Sequence, residues 1–290
     1  MFCFEKEAYV WADVEQKDAF FCRLGFYADD LAVIADSLEE CLSRLKGWKY
    51  GMDSKGLRVN MKKTKLLITG PGLNLLRDAG EYPCTASRPI DGRPVTQVVV
   101  DGSQLDVEAS FCYLGDTLCA EIGCELAIIT RCCTAWGKFK KLLPILTLKH
   151  VSLKTCGKVF NARVRSAMLH GSDAWAPSAS DLQRLRRNDR AMARWICSVK
   201  PDDGVDTDTL YGKLGIPEVT ASLRTRRLRW YGYVERATSC INPIMKMAIP
   251  GARGRERPRK SWSDCIREDL HTCGMGNTCF FLLNELKNCL

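Results

Sequence analysis

A chain of 290 residues, 46% hydrophobic and 27% charged, can bury one large core or two ordinary ones, and no window approaches the apolar run that a membrane span requires. Glu5, Lys6, Glu7, Asp13 and Glu15 interrupt the first thirty residues, which excludes the apolar centre of a secretory signal, so the expected location is intracellular, cytoplasm or nucleus. The net charge of +9 sits in one segment: Arg224 to Lys260 holds eleven Lys and Arg against Glu235 and Glu256, and the remainder sums to zero.

In chain order, the first unusual stretch is "GFYADDLAVIADS", Gly25 to Ser37. Two apolar, β-prone runs meet at Asp29 and Asp30, where a tight turn would present both carboxylates at a hairpin tip. Carboxylates among apolar side chains cost several kcal/mol unless compensated, and a hard divalent ion such as Mg²⁺ satisfies both. An ordinary Asp-Asp turn is the simpler reading of the pair taken alone. Leu38, Cys41, Leu42, Leu45, Trp48 and Met52 then recur at helical spacing, with Ser37 and Glu40 as a capping box and Gly56 as a stop. "KTKLLITG" (63–70) reads as a strand, Gly and Pro between 70 and 94 mark loops, and "VTQVVVDG" and "FCYLG" supply further strands.

From Cys119 onward the pattern is helical, with segments near 121–147, 152–175, 179–198 and 217–237. In the third, Leu182, Leu185, Met192 and Ile196 trace an apolar stripe that Asp189 interrupts. In the fourth, Val219, Leu223, Trp230 and Val234 share one face, and Arg226, Arg229, Tyr233 and Arg236 form the neighbouring one. "PGARGRERPRK" (250–260) is too rich in Gly and Pro for a helix and reads as an exposed basic loop before a last helix on Trp262, Ile266 and Leu270. The fold class is therefore α+β. Cations interleaved with Trp230, Tyr231, Tyr233 and Trp262 suit a polyanion with exposed bases. A solvated helix face is the alternative. Of these rings, Trp230 and Tyr231 read as core and Tyr233 as part of the cationic face.

The sixteen cysteines include no C-x-x-C pair and read as reduced, small apolar side chains. Cys265, His271, Cys273 and Cys279 form the one group that includes a histidine, at irregular spacing, so zinc is not expected.

Taken in order, these stretches resemble the reverse transcriptases (RNA-directed DNA polymerases) of non-LTR, LINE-like retrotransposons. "FYADDLAVIADS" is similar to their motif C, "WKYGMDSKGLRVNMKKTKLLITG" to motif D, and "FCYLGDTL" to the motif E primer grip. "AWGKFKKLLPIL", "VRSAMLHGSDAW", "RNDRAMARWICSVK", "RLRWYGYVER" and "GRERPRKSW" resemble the thumb and basic C-terminal region. The resemblance implies a partial polymerase palm over 25–118, a helical thumb over 119–200 and a basic helical region over 201–290, behind a poorly matched leader, 1–24. It implies that Asp29 and Asp30 are catalytic Mg²⁺ ligands, that Tyr27 lies near a primer end, and that Lys63 or Lys65 protonates the leaving pyrophosphate. Phe111, Tyr113, Leu114 and Gly115 become the primer grip. RNA and DNA become the partners, met by Arg224, Arg226, Arg229, Tyr233, Arg236, Arg253, Arg255, Arg257, Arg259 and Lys260, with no small-molecule cofactor and no membrane.

Departures from the family limit that reading. Motif A supplies a third carboxylate and motif B a template-holding helix, yet only 24 residues precede Gly25. "WADVEQKDAFF" nominates Asp13 for the third carboxylate, with no room for a motif B after it. The expectation is a truncated protein, nucleic-acid binding and catalytically incomplete, with Mg²⁺ bound only if the site were completed. Its motif C hairpin should keep an open edge where motif A would pair. The alternatives are a non-enzymatic single-strand binding module and a polymerase completed by another chain.

Overall fold

A computed structural model of the chain describes residues 5–6, 8–13, 24–27, 30–35, 38–69, 89–90, 93–94, 97–120, 123–236 and 260–274. Two units emerge: Met1–Ile122 with Pro243–Arg255, and Gly123–Asn242 with Glu256–Leu290. The first mixes helix and sheet and the second is helical, which makes the chain α+β. The division falls after Ile122, and the second core runs from Ala127 to Leu223 without a break at residue 200.

In the first unit the strands are β1 (Glu5–Lys6), β2 (Ala8–Asp13), β3 (Leu24–Tyr27), β4 (Asp30–Ala35), β5 (Arg58–Val59), β6 (Lys65–Thr69), β7 (Pro89–Ile90), β8 (Arg93–Pro94), β9 (Gln97–Val100), β10 (Ser103–Val107), β11 (Ser110–Tyr113) and β12 (Asp116–Cys119). One six-stranded sheet has the order β3-β4-β2-β6-β10-β9. Alternation buries Leu31, Val33 and Ala35 of β4 against Leu66, Leu105 and Val107. Helix α1 (Leu38–Asp53) closes that core with Cys41 and Leu45. Its Arg44 is fixed by donating to the Ile34 carbonyl at 2.7 Å and to Glu40 at 2.6 Å. Ser37, the expected cap, lies outside the described residues, whereas Gly56 ends the helix region as expected, at φ 75°. The β9–β10 hairpin turns on Asp101 (φ 47°) and Gly102 (φ 76°), the two positive φ values that a two-residue loop needs to match strand twist.

The open edge expected beside motif C is corrected by β2. This strand lies between β4 and β6 and runs parallel to both, with Ala8 opposite Leu31, Ala12 opposite Ala35 and Asp13 opposite Thr69. The physical reason is in the leader itself: "AYVWAD" is β-prone and largely apolar, and it satisfies backbone groups that an unpaired strand would leave bare.

The second unit contains α2 (Glu125–Leu146), α3 (Leu153–Val159), a π-helical stretch (Phe160–Arg165), α4 (Ser166–Met168), α5 (Ala179–Ile196), α6 (Thr207–Leu214), α7 (Val219–Arg236) and α8 (Trp262–Thr272). Asp189, the one acid in the α5 stripe, is fully buried and fully answered. Arg165 donates to its two oxygens at 2.8 and 2.7 Å, and Tyr211 donates to it at 2.6 Å. The remaining Arg165 nitrogen donates to the Pro217 carbonyl, and the guanidinium stands 5.2 Å from the Tyr211 ring and 5.6 Å from Phe160. The π-helical stretch ends at Arg165 and so sets the height at which its side chain enters the core. Close by, α3 meets α6 at Gly157, where a Cβ would stand 2.0 Å from the Leu214 carbonyl oxygen.

Asp189→Ala leaves the Arg165 charge buried without its partner and is expected to cost about 3–5 kcal/mol in urea unfolding, while Gly157→Ala, which drives a methyl into a backbone carbonyl, is expected to cost about 3 kcal/mol. Burial, reinforced by Asp189, pushes the Tyr211 hydroxyl above its ordinary value. Its folded pKa is therefore higher than its unfolded one, so stability should hold up to about pH 10 and fall above it. Tyr211→Phe should flatten that alkaline loss of melting temperature.

Candidate nucleic-acid interface

Tyr27 ends β3 directly opposite Asp30, the first residue of β4, so a two-residue loop joins them and contains Asp29. Asp29 itself lies outside the described residues. Asp13 stands one residue beyond Ala35 in the register, and Asp30 stands one before Leu31. The two are roughly six residues apart along the strands, about 20 Å. Catalytic metal pairs are held about 4 Å apart, so Asp13 does not fit as the third ligand, and no step through Mg²⁺ can be derived from these strands.

Lys65 opens β6, two strands from Asp30. Its ammonium donates to Glu108 at 3.0 Å and to Asp106 at 3.2 Å. Both acceptors stand at or just past β10, on the side of β6 away from β2 and β4. The hydrogen bond to Glu108, helped by Asp106, raises its pKa above the usual lysine value. A proton donor to a leaving group needs the opposite shift. Lys63 is exposed in the turn that precedes β6. That turn explains the rest of the motif: Asn60 accepts from the Lys63 and Thr64 amides, each at 3.1 Å, and from the buried Thr64 hydroxyl at 2.9 Å.

Phe111 and Tyr113 lie on β11, opposite Leu118 and Asp116 of β12, and Leu114 and Gly115 make the turn at φ 49° and 79°. Gly tolerates that conformation, whereas a leucine there costs about 1–2 kcal/mol. Leu114 is also 43% exposed. A strained, exposed apolar side chain at a hairpin tip breaks two local rules at once, which is characteristic of contact positions.

The six described cations of the basic segment, five on α7 and Lys260 just before α8, sort themselves. Arg227 is buried in a two-bond pair with Asp269 of α8 at 2.8 and 3.0 Å, and Arg224 stands 3.6 Å from the same carboxylate. Arg226, expected on a free face, instead donates to the Leu169 carbonyl at 3.1 Å. Lys260 pairs with Glu268. Arg229 and Arg236 are exposed, and between them Tyr233 is 51% exposed, its ring stacked on Trp230 at 5.2 Å and 23°. Arg253, Arg255, Arg257 and Arg259 lie outside the described residues. Tyr231 packs at 6.3 Å from Trp262, whose indole donates to the Asp173 carbonyl at 2.8 Å.

Among the described residues no helix is long and apolar enough to cross a membrane, and no three His, Cys, Asp or Glu side chains gather to hold a metal. Burial pushes the Cys41 thiol up to about 12 and those of Cys124 and Cys132 up to about 11, so these remain protonated small side chains. Trp195, which the sequence reading does not single out, is 54% exposed. Periodicity alone could not reveal this, because Trp195 directly precedes the buried Ile196. No family model, curated protein or solved structure matches the chain.

Leu114→Asn places a residue that tolerates positive φ at the hairpin tip. It should raise unfolding stability by about 1 kcal/mol, read in urea, and a loss of stability would show that the leucine is held by packing and not strained.

Proposed function

We propose that the chain is a reverse transcriptase-like protein of the non-LTR retrotransposon kind that binds nucleic acid and is catalytically incomplete in the residues it presents. In this reading the first unit corresponds to a partial palm and the second to a thumb with a basic extension. The observation that carries the binding half is the Arg229–Tyr233–Arg236 row of α7, two exposed cations flanking a half-open ring that is already stacked on Trp230. Cations attract phosphates irrespective of sequence, and a pre-positioned ring accepts an unpaired base. The catalytic half is limited by the register that separates Asp13 from Asp30.

A polymerase completed by another chain is the less favoured reading. Because β2 pairs with β4 along the edge where a third-carboxylate strand would sit, a partner strand would have to displace it. A non-enzymatic single-strand binding module draws on the same α7 row and differs only in leaving the acidic pair without a role.

With primed RNA template, Mg²⁺ and nucleotides, the chain is expected to show no extension above background, and Asp29→Ala is expected to change nothing. Extension abolished by Asp29→Ala would overturn the incomplete-site reading. Binding to labelled single-stranded RNA should be sequence-tolerant and salt-sensitive. Arg229→Ala with Arg236→Ala should reduce the log–log salt slope by about 1.4 if each meets one phosphate. Arg226→Ala should mainly lower stability, through its lost bond to Leu169.

A further inference from the structure

We infer that the face formed by α2 and α5 around Trp195 is a second contact for single-stranded nucleic acid, separate from the α7 row, in which an unpaired base stacks on the indole. The inference rests on the nucleic-acid reading and adds a site to it. Trp195 is 54% exposed, and the fully buried Phe139 lies parallel to it at 5.9 Å and 25°. Trp136 meets it edge-on at 6.2 Å and 82°. Trp136 is itself fixed, donating to Asn188 at 2.7 Å, and Asn188 donates to the Arg184 carbonyl at 2.8 Å. The indole is thus backed on one side by a rigid aromatic wall and open on the other, the arrangement a stacking platform needs.

The charged side chains that α5 itself turns outward are cationic. Helix α5 carries Arg184, Arg186, Arg187, Arg190 and Arg194, and its two acids are occupied: Asp181 by the Ser178 cap and Asp189 by Arg165 and Tyr211. Arg184 and Arg186 pair with Glu125 and Glu218. Arg187 and Arg194 form no ion pair among the described residues and share a row, seven residues apart, beside that of Trp195. On α2, Lys140 is exposed one turn beyond Trp136. A second copy of the chain would bring like charges together on this face, which disfavours self-association. An acidic polypeptide would satisfy the charges but gives the exposed indole no flat partner, whereas a nucleobase does.

The test is fluorescence anisotropy of a labelled twelve-nucleotide oligo(U) with the full chain, comparing Trp195→Ala, Trp195→Phe, Arg187→Glu and the Arg229→Ala, Tyr233→Ala pair. Melting temperatures are measured on each variant. The expected result is that Trp195→Ala weakens binding about ten-fold, that Trp195→Phe retains most of it, and that Arg187→Glu weakens it without changing the melting temperature. The α7 double variant should weaken binding independently, its factor multiplying that of Trp195→Ala. If oligo(U) binds and only the α7 variant matters, the second site is overturned and the proposed function stands. If the chain binds no oligo(U) at low salt, both fall. If Trp195→Ala lowers melting enough to confuse the reading, Arg187→Glu decides: unchanged binding overturns the inference. Equal competition by poly-glutamate, insensitive to Trp195→Phe and Trp195→Ala, would assign the face to an acidic protein and also overturn it.

Discussion

The helical unit is organised around the buried carboxylate of Asp189. Asp189 cannot reach water, so the elements that approach it must bring donors, and two do: the π-helical stretch with Arg165 and α6 with Tyr211; Arg165 in turn donates to the Pro217 carbonyl just before α7. An apolar residue at 189 would pack equally well in several rotations of α5. The carboxylate accepts one, because two nitrogens of a planar guanidinium must meet two oxygens in one plane. The pair contributes little net stability once desolvation is counted. Its value lies in fixing the register of α5 against α3, α6 and α7, and therefore in deciding which side of α5 carries its arginines outward.

That constraint extends to the basic surface. The turn Leu169–Ala174 that follows the Arg165 helix supplies the Leu169 carbonyl to Arg226 and the Asp173 carbonyl to Trp262, so α7 and α8 are hung from the same segment. Arg227 and Asp269 then lock the two helices to each other. The stretches "VRSAMLHGSDAW", "RNDRAMARWICSVK" and "RLRWYGYVER" are thus one structural device: a buried carboxylate, its arginine, and a turn whose carbonyls anchor the next pair of helices.

Much of this architecture was legible in the sequence because it is periodic. Helix α1, the later helices near their observed bounds, the α+β class and the interruption of an apolar stripe at Asp189 follow from spacing alone. What spacing cannot supply is the partner. Arg165 lies 24 residues from Asp189 and Tyr211 lies 22 beyond it, and nothing local marks either as its donor. Strand β2 reads as a leader because its direction and its partners depend on where it docks, which no local spacing encodes. Strand β10 and helix α6 also go unread in the sequence. In the candidate site, the Tyr233 face was legible from helical spacing, whereas the inward turn of Arg226 depends on a carbonyl 57 residues away.

The charge count shows how far composition can mislead about an interface. Nine net positive charges between Arg224 and Lys260 suggest a uniformly cationic segment, yet Arg224 and Arg227 neutralise the same Asp269, Arg226 holds a carbonyl and Lys260 meets Glu268. These cations assemble the helices and leave Arg229 and Arg236 as the described contributors to an outward field. Helix α5, unremarkable in net charge because Asp181 and Asp189 offset part of its arginines, behaves differently: its acids are turned inward, Arg184 and Arg186 pair with Glu125 and Glu218, and Arg187 and Arg194 form no ion pair among the described residues. A polyanion responds to the charge that remains at the surface after the fold has used what it needs. By that measure α5 is at least as basic as α7, and the location of an exposed tryptophan on it is consistent with the same physical logic.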